Sequence, residues 1–265
     1  VVWAVFFLAR FGVQRWLYEA QETSLLGVAR LVMGLPMTAV AALVTLPGVG
    51  VRLTGGVDAA GNDSDTLNVA ANGAALTVSL ATSVANEGFT GTEAAVFTGG
   101  GSFAAIDNLV GSADTLQGRT VASTWTQAAY SDGAETLTFS GIATAEGRAV
   151  GADTLQGGAG DDVFTVAGAG SVDLNGQDFV GIDALSGLGG ADDFDLNGNF
   201  GGDVDGDAGT DEFFVDATQT GVLDGGEDSD TFVVGAAATL PGAGVRLTGG
   251  VGAAGNDSDT LNVAA

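Results

Sequence analysis

Gly187-Leu188-Gly189-Gly190-Ala191-Asp192-Asp193-Phe194 is followed by Gly206-Asp207-Ala208-Gly209-Thr210-Asp211-Glu212-Phe213 and by Gly225-Gly226-Glu227-Asp228-Ser229-Asp230-Thr231-Phe232. In each, a Gly-rich lead ends in Asp, one residue, and Phe. Phe194, Phe213 and Phe232 stand 19 and 19 residues apart. The Asp-x-Leu/Phe cassette recurs at Asp65/Leu67, Asp114/Leu116, Asp153/Leu155, Asp162/Phe164 and Asp259/Leu261. Short β-prone runs such as Phe213-Phe214-Val215 and Thr231-Phe232-Val233-Val234 alternate with Gly/Asp-rich turns. Neither piece buries an apolar face alone, whereas stacked rungs bury one Phe or Leu per rung in a continuous ladder. The expected fold is all-β: a parallel β-solenoid, β-helix or β-roll in style, with rungs of about 19 residues. A helical alternative fails, because an interior Gly costs about 1 kcal/mol in a helix. An Ig-like sandwich also has short strands, but it does not require an apolar residue at fixed intervals.

A longer repeat surrounds these cassettes. Residues 45–71, TLPGVGVRLTGGVDAAGNDSDTLNVAA, return at 239–265 as TLPGAGVRLTGGVGAAGNDSDTLNVAA. The offset is 194 residues and 25 of 27 positions agree; Val49 against Ala243 and Asp58 against Gly252 differ. Such identity indicates a recent duplication and a tandem array. A third element, F-x-x-I-x-x-(L/A)-x-G, occurs at Phe103/Ile106/Leu109/Gly111, Phe139/Ile142/Ala145/Gly147 and Phe179/Ile182/Leu185/Gly187, each leading into a cassette.

Composition excludes much chemistry. The 265 residues include 33 acidic and 7 basic ones, no His and no Cys, for a net charge of −26. Without His or Cys there is no His-dependent triad, Cys nucleophile, disulfide or zinc site of the usual N/S kind. So acidic a chain repels phosphate backbones, which argues against nucleic-acid partners. It is also too apolar, at 46% hydrophobic residues, for a simple acidic disordered tail.

Charge divides the chain in two. Residues 1–44 hold Arg10, Arg15, Arg30, Glu19 and Glu22, whereas residues 45–265 carry four Arg and all the other acids, a net −27. This sets an apolar N-terminal segment, 1–39, against a Gly/Asp-rich repeat region, 40–265. The first segment reads as a short helical cap or a fragment end. A membrane segment or export-signal remnant is the alternative, so any membrane contact is expected through residues 1–46. Val1–Ala9 is too short to span a bilayer, and Arg30 and Pro36 interrupt Leu25–Leu46.

The turns carry the candidate metal chemistry. Calcium takes six to eight oxygens, and Gly-rich turns let carbonyls and carboxylates converge. Gly157-Gly158-Ala159-Gly160-Asp161-Asp162-Val163-Phe164-Thr165 fits G-G-x-G-x-D-x-U-x at every fixed position. With the adjoining cassette, this places candidate ligands at Gly151, Asp153, Gly158, Gly160, Asp161 and Asp162. The variant cassettes add Asp192, Asp193, Asp211, Asp228 and Asp230, and the duplicated segment adds Asp63, Asp65, Asp257 and Asp259. Asp203, Asp205 and Asp207 have D-x-D-x-D spacing, but Ala208 and Phe214 stand where an EF-hand needs Gly and Glu. The competing reading is metal-free corner chemistry, in which Asp side chains cap turns.

Through these cassettes the chain resembles the RTX-like, haemolysin-type calcium-binding repeats of very large bacterial secreted or surface proteins, haemagglutinin-like adhesins among them. The lead-ins at Phe103 and Phe179 look similar too. The resemblance implies Ca²⁺ as cofactor, a secreted or cell-surface location and an adhesive role. It also implies neighbouring repeats of the same large chain as partners, with surface glycan or a host or neighbouring cell surface beyond them. Family β-rolls stack nonapeptides back to back. Here the cassettes stand 19–49 residues apart, save Asp153 and Asp162.

An enzyme is not expected. Adjacent acids such as Asp161/Asp162 or Asp192/Asp193 point to opposite faces of a strand, so neither pair converges on one bond. The expectation is a non-enzymatic, calcium-associated stalk or adhesion module. The alternatives are a glycan- or surface-binding solenoid face, and a β-helix polysaccharide-active enzyme with two carboxylates about 5–10 Å apart across a cleft.

Overall fold

The structure is a computed structural model that describes residues 38–40, 52–56, 64–97, 101–148, 152–241, 246–250 and 257–264. The apolar segment 1–37 lies outside the described residues, and so does its expected helix.

Among the described residues the chain is all-β. Its 22 strands join one hydrogen-bonded, mostly parallel sheet, and the only helical element is a 3₁₀ turn at Ala70–Asn72. Two ladders organise the C-terminal part. The first stacks Val163–Gly168, Asp193–Leu196, Glu212–Val215, Thr231–Val234 and Thr260–Val263. The second stacks Ser123–Thr126, Asp153–Gln156, Ala184–Ser186, Val204–Asp205, Val222–Asp224 and Arg246–Thr248. Every pairing in both ladders is parallel.

Period-two burial explains the register. In Asp193–Leu196 and Glu212–Val215, the second and fourth residues are buried and the others face outward. A slip of one residue would turn Phe213 to solvent and bury Glu212 instead. Phe164, Phe194, Phe213 and Phe232 are therefore aligned rung on rung, with ring centroids 4.8, 4.8 and 4.6 Å apart and planes within 12–18°. In the second ladder Trp125, Leu155, Leu185, Val204 and Leu223 align the same way and are buried. Trp125 is fully buried against Tyr130, Phe139 and Phe179, which makes it a packed rung residue.

The 19-residue spacing holds only from Phe194 to Phe232. Phe164 to Phe194 takes 30 residues and Phe232 to Leu261 takes 29. The long rung contains an antiparallel excursion: Val163–Gly168 pairs with Ser171–Leu174, which pairs with Gln177–Val180. Its second turn is Asn175-Gly176, with φ of 52° and 87°. Positive φ at both central residues is the hairpin geometry that Asn-Gly favours. Similar excursions join Thr77–Val84 to Gly88–Glu93 and Ser123–Thr126 to Ala129–Ser131.

Candidate functional site: a column of corner carboxylates

Each cassette turns a corner just before its Phe or Leu, and its Asp lies against a Gly in that corner. Asp65, Asp114, Asp153, Asp192, Asp211 and Asp230 are all buried. Carboxylates rarely go inside unless they are hydrogen-bonded, and these are bonded between rungs. The backbone N–H of Asp162 donates to Asp192 Oδ1 at 2.7 Å, and that of Asp192 to Asp211 Oδ1 at 2.8 Å. Asp211 N–H donates to Asp230 Oδ1 at 2.9 Å, and Asp230 N–H to Asp259 Oδ1 at 3.0 Å. One carboxylate per rung thus accepts from the rung before it, and five rungs are tied in a line.

The second oxygen explains the glycine. A Cβ on Gly206 would lie 2.4 Å from Asp211 Oδ2 and 2.4 Å from the Gly225 carbonyl. The Gly187/Asp192 and Gly225/Asp230 corners repeat this, with Oδ2 2.2 Å from the would-be Cβ in both. The Gly-rich lead is therefore steric room for the next Asp. Oδ2 of Asp192, Asp211 and Asp230 is buried with no hydrogen-bond partner. Burial, with neighbouring carboxylates adding to it, raises the Asp211 carboxyl to about 7 and those of Asp192 and Asp230 to about 6. Three successive carboxyls of the column are thus easier to protonate than an ordinary carboxylate.

The remaining candidate ligands are dispersed. Asp162 accepts from Gly158 N–H at 2.5 Å and from Asn175 Nδ2 at 2.5 Å. Exposed Asp161 accepts from Ala191 N–H at 2.9 Å. Asp193 faces outward, half-buried, and its burial beside Asp195 and Glu212 raises its pKa. Asp203 accepts from Val222 N–H at 2.7 Å, Asp205 from Asp207 N–H at 3.0 Å, and Asp207 from Ser186 Oγ at 2.6 Å. The D-x-D-x-D carboxylates thus serve three different partners instead of one centre. Asp228 is exposed at a φ of 75° and Asp257 is half-buried. Gly160 has open space around it. Asp63 and Gly151 lie outside the described residues. Among the described residues no three carboxylates gather into a group that could hold a metal ion.

Two residues outside the candidate set do the same work as the cassette Asp. Asp107 Oδ2 accepts from Asp65 N–H at 2.9 Å, and Asp183 Oδ2 from Asp153 N–H at 3.0 Å. Both follow the Ile of the F-x-x-I element, and with Leu109 and Leu185 both complete an Asp-x-Leu that has an Ile, not a Gly-rich turn, immediately before it. Asp183 also borders a shallow recess of about 560 Å³ with Gly170, Ile182, Phe200 and Gly202, and it is the one carboxylate lining it. Beside the Phe ladder the outward row reads Thr165, Asp195, Phe214, Val233 and Asn262, with no repeated side chain.

Residues 1–51 match a family model described as Protein of unknown function (DUF3159). No curated protein and no solved structure matches the chain. The matched stretch ends inside the first duplicated segment, just before the strand Arg52–Thr54, close to where the charge changes sign. Among the described residues no helix is long and apolar enough to cross a membrane.

Proposed function

We propose that residues 40–265 are a β-solenoid spacer: a non-enzymatic, repetitive stalk or adhesion segment of a large bacterial secreted or cell-surface protein. The observation that carries this reading is the in-register column of Asp192, Asp211 and Asp230 beside Phe194, Phe213 and Phe232. From Asp162 to Asp259 each rung repeats one bonding scheme, so rungs can be added without changing the design, and length is what such a design provides. The irregular outward row gives a glycan-binding face little support. The recess at Asp183 offers one carboxylate, already bonded to backbone, where hydrolysis of a polysaccharide needs two.

Calcium belongs to this proposal through the cassettes, Gly151–Phe164 above all, where two of them adjoin. The buried column adds a physical motive, since charge held there is relieved by a cation or by protons. Outside the cell, where calcium is plentiful, folding and ion uptake would be coupled.

Small-angle scattering tests the spacer reading, comparing this chain with one carrying a further 194-residue unit. The maximum dimension should grow by about 4.8 Å for every added rung. A particle that thickens without lengthening contradicts it.

A further inference from the structure

The two duplicated segments have nearly the same sequence and opposite surroundings. In the first, Leu67 and Val69 are 0% and 1% exposed; in the second, the equivalent Leu261 and Val263 are 57% and 67% exposed. Local sequence cannot cause this difference, because Thr66-Leu67-Asn68-Val69 and Thr260-Leu261-Asn262-Val263 are identical.

The first segment is covered by the rung that follows it. Thr66, Leu67 and Asn68 pair in parallel with Asn108, Leu109 and Val110, and Arg52, Leu53 and Thr54 with Ser102, Phe103 and Ala104. Asp65 N–H donates to Asp107 Oδ2 at 2.9 Å, Val69 N–H to the Val110 carbonyl at 2.8 Å, and Gly55 N–H to the Ala104 carbonyl at 3.0 Å. The second segment holds the same shape on its inner side: Thr260–Val263 stacks under Thr231–Val234, and Arg246–Thr248 under Val222–Asp224. Its outer side presents an apolar strand edge, a feature that folded proteins ordinarily cover or blunt.

We infer that the outer face of the rung formed by 246–250 and 257–264 is an acceptor for one occupant, a further copy of residues 72–117. That copy docks with its Leu109 on Leu261 and its Phe103 on Leu247, and its Asp107 accepts the Asp259 N–H. The inference rests on the stacking in the spacer reading, and not on location or calcium. It identifies the partner as the same repeat unit and fixes the register of the junction.

Hydrogen exchange tests it, and the duplication supplies an internal standard, since identical tetrapeptides have matching intrinsic rates away from their outermost neighbours. In the chain as it stands, the amides of Leu261 and Val263 should exchange far faster than those of Leu67 and Val69. Appending residues 72–126 after Ala265 should slow Leu261 and Val263 by roughly tenfold or more, toward the rates of the first copy. The same extension with Leu109→Asp in the appended copy, and a shuffled extension of equal composition, should leave them fast.

Unchanged rates with the native extension overturn the inference, and so does equal protection by the shuffled one. Concentration-dependent protection without any extension also overturns it, because a second chain would then be the occupant. Protection without lengthening in scattering would sink the spacer reading and keep this junction; lengthening without protection would do the reverse.

Discussion

The backbone N–H of Asp192 donates to Oδ1 of Asp211, 19 residues on, at 2.8 Å, while Oδ2 of the same carboxylate lies buried against Gly206. One side chain thus joins two rungs, fills the corner that a glycine leaves open, and holds a group that is easier to bury neutral than charged.

Asp211→Ala removes the acceptor and leaves the Asp192 N–H buried without a partner, a loss of about 1–3 kcal/mol. Asp211→Asn keeps Oδ1 and removes the charge, so at pH 8 it should be at least as stable as the parent. Denaturant unfolding of the two variants checks this. An Asn variant as damaged as the Ala variant would show that the charge itself is needed.

Acid should stabilise the calcium-free chain. Asp192, Asp211 and Asp230 have folded-state values of about 6, 7 and 6, above the ordinary carboxylate value near 4. Their contribution is complete below about pH 4 and is lost as the pH rises through 6 to 7. The midpoint of thermal unfolding should therefore fall between pH 5 and pH 8. Relief of general repulsion in a chain of net charge −26 has the same sign. Asp211→Asn separates the two, since it should flatten the slope by its own share only.

Glycines that look alike in sequence should differ in tolerance. Gly206→Ala drives a methyl into the Gly225 carbonyl and the Asp211 carboxylate, an overpacking cost of about 1–3 kcal/mol or more. Gly160→Ala meets nothing within 4 Å and should be close to neutral without calcium. Melting curves of both variants in chelator decide the point, and a severe Gly160→Ala defect there would refute it.

Phe213→Ala opens the stack between Phe194 and Phe232 and should cost about 3–5 kcal/mol, with Phe213→Leu much milder. Urea titration reads both. Equal costs would mean that volume is not what the ladder holds.

Calcium at millimolar concentration should raise the unfolding midpoint at pH 7.5 by more than sodium of matched ionic strength does. At 100 times its dissociation constant a single bound ion contributes about 2.7 kcal/mol. Asp161→Asn, which keeps the Ala191 contact, should reduce the effect. An unmoved midpoint removes calcium from the account and leaves the repeat.

Much of the fold was legible in the sequence because the apolar period is physical. Phe194, Phe213 and Phe232 had to share one line if identical rungs were to stack, and they do. The uniform 19-residue rung was too simple. The Asn175-Gly176 hairpin signal lies inside a 30-residue rung, and the excursion there is invisible to a search for Asp-x-Phe alone. The cassette carboxylates were legible as corner residues but not in their direction. A Gly-rich lead suits a carbonyl cage and a cramped corner equally well, and only the contact of Gly206 with Asp211 separates the two. Asp107 and Asp183 bond to the rung before them as the cassette residues do, across 42 and 30 residues of chain, but an Ile stands before each in place of the Gly-rich lead that marks a cassette.

The central claim is that successive cassettes stack in parallel and in register, and the absence of Cys makes it directly measurable. Nitroxide labels at outward positions report the spacing in three double variants: Asp195→Cys with Phe214→Cys, Asp195→Cys with Val233→Cys, and Thr165→Cys with Val233→Cys. The account predicts dipolar broadening that weakens step by step, with backbone separations of about 4.8, 9.6 and 14 Å for one, two and three rungs. A pair two rungs apart that is as close as an adjacent pair, or an adjacent pair with no broadening, would contradict it.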